Sequence, residues 1–145
     1  MRYKLLYFSI LAGLIFLFVI SLGNGIWDRH LDYSDWNYRV FYGICHQMQD
    51  RSFHIYDVPM AVNTRCFGIF SGLLAAWLMV PYLTNVTREK RWPGLLLSIS
   101  VALQVIDYSA GQLSIWNSSN FSRFFLGIIL GVALVCMIAD QFNKK

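Results

Sequence analysis

Charge is what this chain has least of. Of its 145 residues only 8 are Asp or Glu and 12 are Lys or Arg, so charged side chains make up 14% of the sequence against 57% hydrophobic ones. A soluble domain carries about 25% charge, so this composition excludes a stable water-exposed fold and leaves a membrane protein. Proline is scarce, with 3 residues, and 3 cysteines are too few for a disulfide framework. There is no phosphate-cradling glycine loop, no Gly-x-Ser-x-Gly elbow and no His-Glu-x-x-His pair, which removes the commonest phosphate-binding, hydrolase and zinc-protease signatures. The net charge of +4 comes from small clusters at the ends of apolar runs. It forms no basic stripe with interleaved aromatics, so nucleic acid is not an expected partner. Internal repeats and low-complexity segments are absent too, and the length allows one domain over 1–145.

What the chain has instead is long hydrophobic runs. Residues 5–22 follow Arg2 and Lys4 and are long enough to cross a hydrocarbon core. Ser21 and Gly23 have the spacing of a signal-peptide cleavage site, but the length of the run favours an uncleaved anchor. Further spans are expected over about 62–83, 93–113 and 121–138, with Ser119 or Asn120 as the N-cap of the last. The expected fold is an all-α, integral membrane four-helix bundle. Residues 24–60 break the apolar pattern with Asp28, Arg29, His30, Asp32, Asp35 and Arg39, and Trp27, Trp36, Tyr38, Phe41, Tyr42 and Phe53 stud them. They are expected to form an outward-facing cap between helices 1 and 2 that includes an interfacial helix. Five Trp and eight Tyr suit an interfacial aromatic belt.

Orientation follows from the basic clusters. Arg2 and Lys4, then Arg88, Lys90 and Arg91, then Lys144 and Lys145 fall on one side of the membrane if there are four spans. Cations are retained on the cytoplasmic side, so both termini are expected there and residues 24–60 and 114–120 outside.

The last three spans share a design, polar near the outer surface and small further in. Arg65, Gly68, Gly72 and Ala76 fall at helical spacing on the second; Ser100, Gln104, Asp107 and Gly111 on the third; Asn120, Arg123, Gly127 and Gly131 on the fourth. The two Gly-x-x-x-Gly stripes permit close backbone approach in lipid, either within the chain or between copies in a homo-oligomer. Facing one another, these helices would gather Arg65, Asp107, Asn120 and Arg123. An ionisable residue at membrane depth costs about 2.5–3.5 kcal/mol on insertion scales, so Asp107 should pair with Arg65 or Arg123. Such a pair can be a purely structural pin.

Above that level lies "CHQMQDRSFH", residues 45–54. Cys45 and Cys66 belong to the outer side, while Cys136 reads as a small buried hydrophobe. Three readings stand for the outer pair. A disulfide would close a loop of about twenty residues and add about 3 kcal/mol. A metal could be held by Cys45, Cys66 and a histidine; Cys45 and His46 are adjacent and need a turn to share an ion, so His54 is the alternative nitrogen. Cys45 could also be a free thiolate activated by His46 or an arginine. His30 reads as solvated and Asp140 as an interfacial charge. "NVT", "NSS" and "NFS" match the short and common glycosylation pattern.

"CHQMQDRSF", "RCFGIFSG", Asp107 with Gln112, and "NSSNFSRFFLGIILG" together resemble the small bacterial membrane proteins grouped as domain of unknown function 2085. The likeness runs in order over about 41–131, and its Cys-His-Gln and Arg-Cys-x-Gly-Ile pieces are fairly specific. It implies a bacterial multi-pass protein of the cytoplasmic (inner) membrane and names no reaction. Members often carry Cys-x-x-Cys where this chain has Asn63-Thr64-Arg65-Cys66, which argues against a four-ligand zinc site and leaves a three-ligand one or none.

The resulting expectation is a metal-assisted hydrolase or transferase acting on an anionic or lipid-linked substrate. Asp107, His46 and Arg65 would be catalytic, Arg123, Asn120, Gln112 and Arg51 would bind substrate, and Cys45, Cys66 and His54 would hold zinc. The rival is a non-enzymatic scaffold or accessory subunit clipped by a Cys45–Cys66 disulfide and the ion pair. A transporter is the weakest option, because broken half-helices are lacking.

Overall fold

A computed structural model of the chain describes residues 2–26, 35–82, 92–113 and 118–142. His30, the basic 88–91 turn and the terminal Lys144 and Lys145 lie outside the described residues. The protein is mostly helical: α1 (Arg2–Ser21), α2 (Trp36–Phe41), α3 (Thr64–Leu78), α4 (Trp92–Gln112) and α5 (Asn120–Phe142). Among the described residues, three helices can cross a membrane by length and composition: α1 over Lys4–Ser21, α4, and α5 over Asn120–Ala139. The fourth apolar helix, α3, has 15 residues, a length of about 22 Å at 1.5 Å per residue. It ends short of the 62–83 expected for it because Pro81 cannot donate to the carbonyl four residues back and crowds it. At that end the Met79 N–H is shared between the Ala75 and Ala76 carbonyls at 3.3 and 3.1 Å.

The burial pattern is that of a protein solvated by lipid. On α4, Leu95, Ile99, Val101, Val105 and Ile106 are exposed, while Ser100 is buried. In water such an apolar surface would be covered; in lipid it is the polar and small residues that turn inward. α1 is apolar on every face, as a lipid-embedded helix can be.

Packing centres on α3 and α5. Gly68 and Gly72 sit against Gly127 and Gly131 so closely that a Cβ on any of them would strike the other helix's backbone. The glycine stripes are therefore used up inside the chain. The homo-oligomer expected through them is not their role here, since each fills the other's groove. α4 packs on α5, and α1 packs on α3. Near the α3 C-terminus, Tyr7, Ile10, Leu11 and Leu14 of α1 surround Trp77 and Val80. There the Trp77 indole N–H donates to the Tyr7 carbonyl at 3.2 Å, and the Tyr7 hydroxyl donates to the Trp77 carbonyl at 3.4 Å. Each aromatic thus has its polar tip satisfied.

The cap lies at the other end of α3. It is less purely helical than expected, because a two-stranded hairpin, β1 (His54–Ile55) with β2 (Val58–Pro59), joins it to α3. Its two-residue loop, Tyr56-Asp57, has φ of 52° and 66°, the mirror-image turn that matches strand twist. The cap is anchored by Tyr38, buried beside Phe41, Ala61 and Val62, whose hydroxyl donates to the Pro59 carbonyl at 2.7 Å. Gly23, with φ of 72°, has no room for a side chain because the Ala61 nitrogen would lie 2.8 Å from its Cβ. Asn24 joins Asp35 and Asn37 in a short polar chain that ties the end of α1 to α2.

Candidate functional site

Two polar constellations meet at the N-terminus of α3, on either side of that helix. The first faces α4 and α5. Arg65, in the first turn of α3, donates from Nη2 to Oδ2 of Asp107 on α4. Helical periodicity put both at the same level; the fold decides that Arg65, and not Arg123, is the partner. The Asp107 side chain is only 8% exposed, against 26% for Arg65.

Arg123, one turn into α5, lies within electrostatic reach of Arg51, Arg65 and Asp107. Its own hydrogen bonds go to neutral oxygens: Nε donates to Ser118 Oγ at 2.9 Å, and Nη1 to Asn120 Oδ1 at 3.3 Å. Ser119 is the N-cap, its hydroxyl accepting the Ser122 N–H at 3.1 Å. That frees the Asn120 amide to donate to the Asp50 and Ser52 carbonyls at 3.3 and 3.5 Å, which fastens the loop carrying Arg51 to α5. Phe53 seals the junction by packing its ring on Phe67, Phe121 and Phe124.

The cluster is unbalanced in two ways. Arg123 feels two other guanidiniums, the exposed Arg51 and Arg65, against one carboxylate, Asp107, and some buried polar atoms have no partner among the described residues. Among the described residues, Thr64 Oγ1, Arg65 Nε and both amide atoms of Gln104, one turn from Asp107 on α4, are buried without a partner. Buried polar atoms are nearly always satisfied, so unpaired ones in a charged site mark a place where a ligand can bond. Not every expected member joins. Gln112 is exposed and donates to its own helix neighbour, the Tyr108 hydroxyl, at 3.0 Å.

The second constellation is the cysteine pair. Cys45 is buried with Phe41, Ala61 and Val62, and Cys66 packs against the same cluster. Both are free thiols, so the clip expected as a disulfide is here a contact between thiols, with the Cys66 thiol hydrogen-bonded to Cys45. The Asn63 N–H donates to Cys45 Sγ at 3.2 Å, and the Gln47 N–H points to the same sulfur. These donors, Cys66 foremost, hold the Cys45 thiol down from 9.0 to about 6, against the opposing effect of burial, and His46 adds a small positive field. Sequence reasoning missed Gln47. Its φ of 48° aims the backbone at Cys45, and its side chain holds that geometry by donating to the Tyr38 and Ala61 carbonyls at 2.7 and 3.0 Å. A non-glycine residue in this backbone region is uncommon, and nothing in the local pattern announces it.

His54 is exposed on the hairpin, and among the described residues no three His, Cys, Asp or Glu side chains converge as a metal site requires. Two thiols alone leave half of a tetrahedral shell unfilled by the protein. Cys45, Cys66 and His54 form no such convergent group among the described residues. His46 is exposed and lies within electrostatic reach of Cys45.

Apolar helices turned outward and a cation-rich cluster held between their ends define a membrane protein with three candidate spans. The chain belongs to the family described as predicted membrane protein (DUF2085), whose match covers residues 45–137 and so includes both constellations. It is 34% identical over 105 residues to "Uncharacterized protein MJ1492" of Methanocaldococcus jannaschii, a match covering 72% of this chain and 67% of that protein. That relative is archaeal, so family membership does not carry the bacterial origin expected above. No solved structure matches the chain.

Proposed function

We propose that this protein binds the anionic head group of an amphiphilic ligand in the cluster formed by Arg51, Arg65, Arg123, Asn120 and Gln104. The observation that carries the reading is the charge around Arg123: Arg51 and Arg65 lie within its electrostatic reach, and the acid acting on it, Asp107, is already paired with Arg65. A guanidinium held among neutral oxygens is a ready bidentate donor for phosphate or carboxylate. Asp107 acts as a positioning residue that orients Arg65. In this reading α3 is a fourth span, the cap faces outward, and both termini are cytoplasmic in a multi-pass arrangement. The ligand then enters from the outer leaflet with its tail along the exposed apolar faces of α4 and α5.

The test is binding of lipid by the purified full chain in nanodiscs, comparing phosphatidate with phosphatidylcholine at equal content. Wild type should prefer phosphatidate, and Arg123→Gln should weaken that preference by about tenfold, the worth of one charge-assisted hydrogen bond. Equal retention of both lipids by wild type refutes the proposal. The scaffold alternative draws support from the close α3–α5 packing; it predicts that Arg123→Gln changes stability and leaves lipid preference untouched.

A further inference from the structure

The sulfur of Cys45 is over-provided with donors. The Asn63 N–H lies 3.2 Å away, and the Gln47 N–H and the Cys66 S–H are directed at it as well. A buried neutral thiol is a weak acceptor that needs no such arrangement; three converging donors suit a thiolate. Asn63 is the N-cap of α3, so the positive end of that helix dipole faces the sulfur too. The arrangement is held on purpose-built backbone. Gln47 is kept at φ 48° by its two side-chain hydrogen bonds, a strain that persists only because the surroundings impose it. Asn63 is held in turn by its side-chain oxygen, which accepts from Ser52 Oγ at 3.2 Å.

The partner is equally specific. Cys66 lies in the first turn of α3, and its S–H donates to the Cys45 sulfur. One stabilised thiolate touching one protonated thiol is the resting state of a dithiol ready to form a disulfide. Cys45 stands in an irregular segment, 45–48, between the exposed turn residues 42–44 and the exposed 49–51 turn. A small opening of that segment is enough to present the sulfur to a reagent. Cys136 is buried on α5 and offers an internal reference that does not take part.

We infer that Cys45 and Cys66 form a reversible dithiol–disulfide couple, with Cys45 the attacking sulfur and Cys66 the resolving one, exchanging with an external disulfide. In the forward direction the Cys45 thiolate attacks one sulfur of R–S–S–R, forming a mixed disulfide and releasing R–S⁻. Cys66 gives its proton to that leaving thiolate and attacks Cys45 Sγ, expelling the second R–S⁻, which takes up a proton from water. The dithiol is oxidised by two electrons and the external disulfide is reduced to two thiols. The couple joins the cap to the first turn of α3, where Cys66 follows Arg65 in the chain.

The experiment equilibrates the purified full chain, in detergent, with oxidised and reduced glutathione at varied ratios. Samples are quenched in acid, alkylated under denaturing conditions and weighed intact. The expected result is a single reversible transition in which Cys45 and Cys66 lose their alkylation together while Cys136 keeps its own at every ratio. Cys66→Ser should trap glutathione on Cys45, and Cys45→Ser should trap about tenfold less on Cys66, as the attacking thiolate dictates. Independent loss of the two thiols overturns the inference. So does a disulfide that dithiothreitol cannot reduce in the folded protein, which would make it a static clip. If neither serine variant folds, the wild-type transition alone decides, because pairwise reversible oxidation with Cys136 untouched requires no variant.

Discussion

Substituting alanine for Gly127 tests the central packing claim, because two opposing effects of known size act on one methyl group. On an isolated helix the change is favourable by about 1 kcal/mol, since alanine loses less conformational freedom than glycine. In this fold the added Cβ would press on the Arg65 carbonyl oxygen and lie 2.9 Å from the Ile69 nitrogen and 3.0 Å from the Gly68 Cα. All three are backbone atoms of α3, so no side chain can rotate aside, and the helices themselves must separate. Overpacking of this kind costs about 1–3 kcal/mol and the upper end applies where only backbone can yield. The net expectation is a loss of about 2 kcal/mol. Gly13→Ala supplies the control, because a Cβ on Gly13 of α1 meets nothing within 4 Å. That variant should be neutral or slightly stabilised. Thermal unfolding of both variants and wild type in one detergent reads the difference. If Gly127→Ala melts no lower than Gly13→Ala, the close α3–α5 approach is wrong and with it the placement of Arg65 beside Arg123.

Other consequences are equally open to measurement. Asp107→Asn should destabilise by about 2–3 kcal/mol, near the lower bound for removing one partner of a buried pair because Arg65 keeps some exposure; denaturation of Asp107→Asn against the Arg65→Gln, Asp107→Asn double variant checks this, the double being the milder if the unpaired charge is the cause. Cys45 is held at about 6 in the folded protein against 9.0 for an ordinary thiol. Its thiolate therefore dominates above about pH 6, and the stability linked to it is complete above pH 9 and lost as pH falls through 6. Alkylation of Cys45 in the native protein should rise through that lower pH and then level off, whereas a rate still climbing towards pH 9 would contradict the donor arrangement around the sulfur.

Arg65 and Asp107 were legible as partners because a charge at membrane depth must be paired, and helical spacing put them at one level. Which arginine takes the acid was not legible, since Arg65 and Arg123 have the same chemistry and lie at the same depth. Cys45 and Cys66 were recognisable as neighbours, yet the role of Gln47 was hidden because a left-handed glutamine leaves no mark in composition or periodicity. His54 and Gln112 had plausible identities and fell outside: the hairpin turns the one to the exterior, and the last turn of α4 leaves the other facing outward.

The sequence by itself determined that this is a membrane protein, where its apolar helices run and which polar residues need company, because these follow from hydropathy, periodicity and the cost of burying charge. It also determined that α3 and α5 could touch backbone to backbone, since only glycine at four-residue spacing allows it. Only the tertiary structure decided that those stripes fill each other and not a second copy. It alone made Arg65 the partner of Asp107 and turned the cysteine pair into a donor-lined thiol contact. These outcomes depend on where the Asn63, Gln47 and Ser52 backbones and the hairpin come to rest, and such positions are set by contacts distant in the chain that no local pattern records.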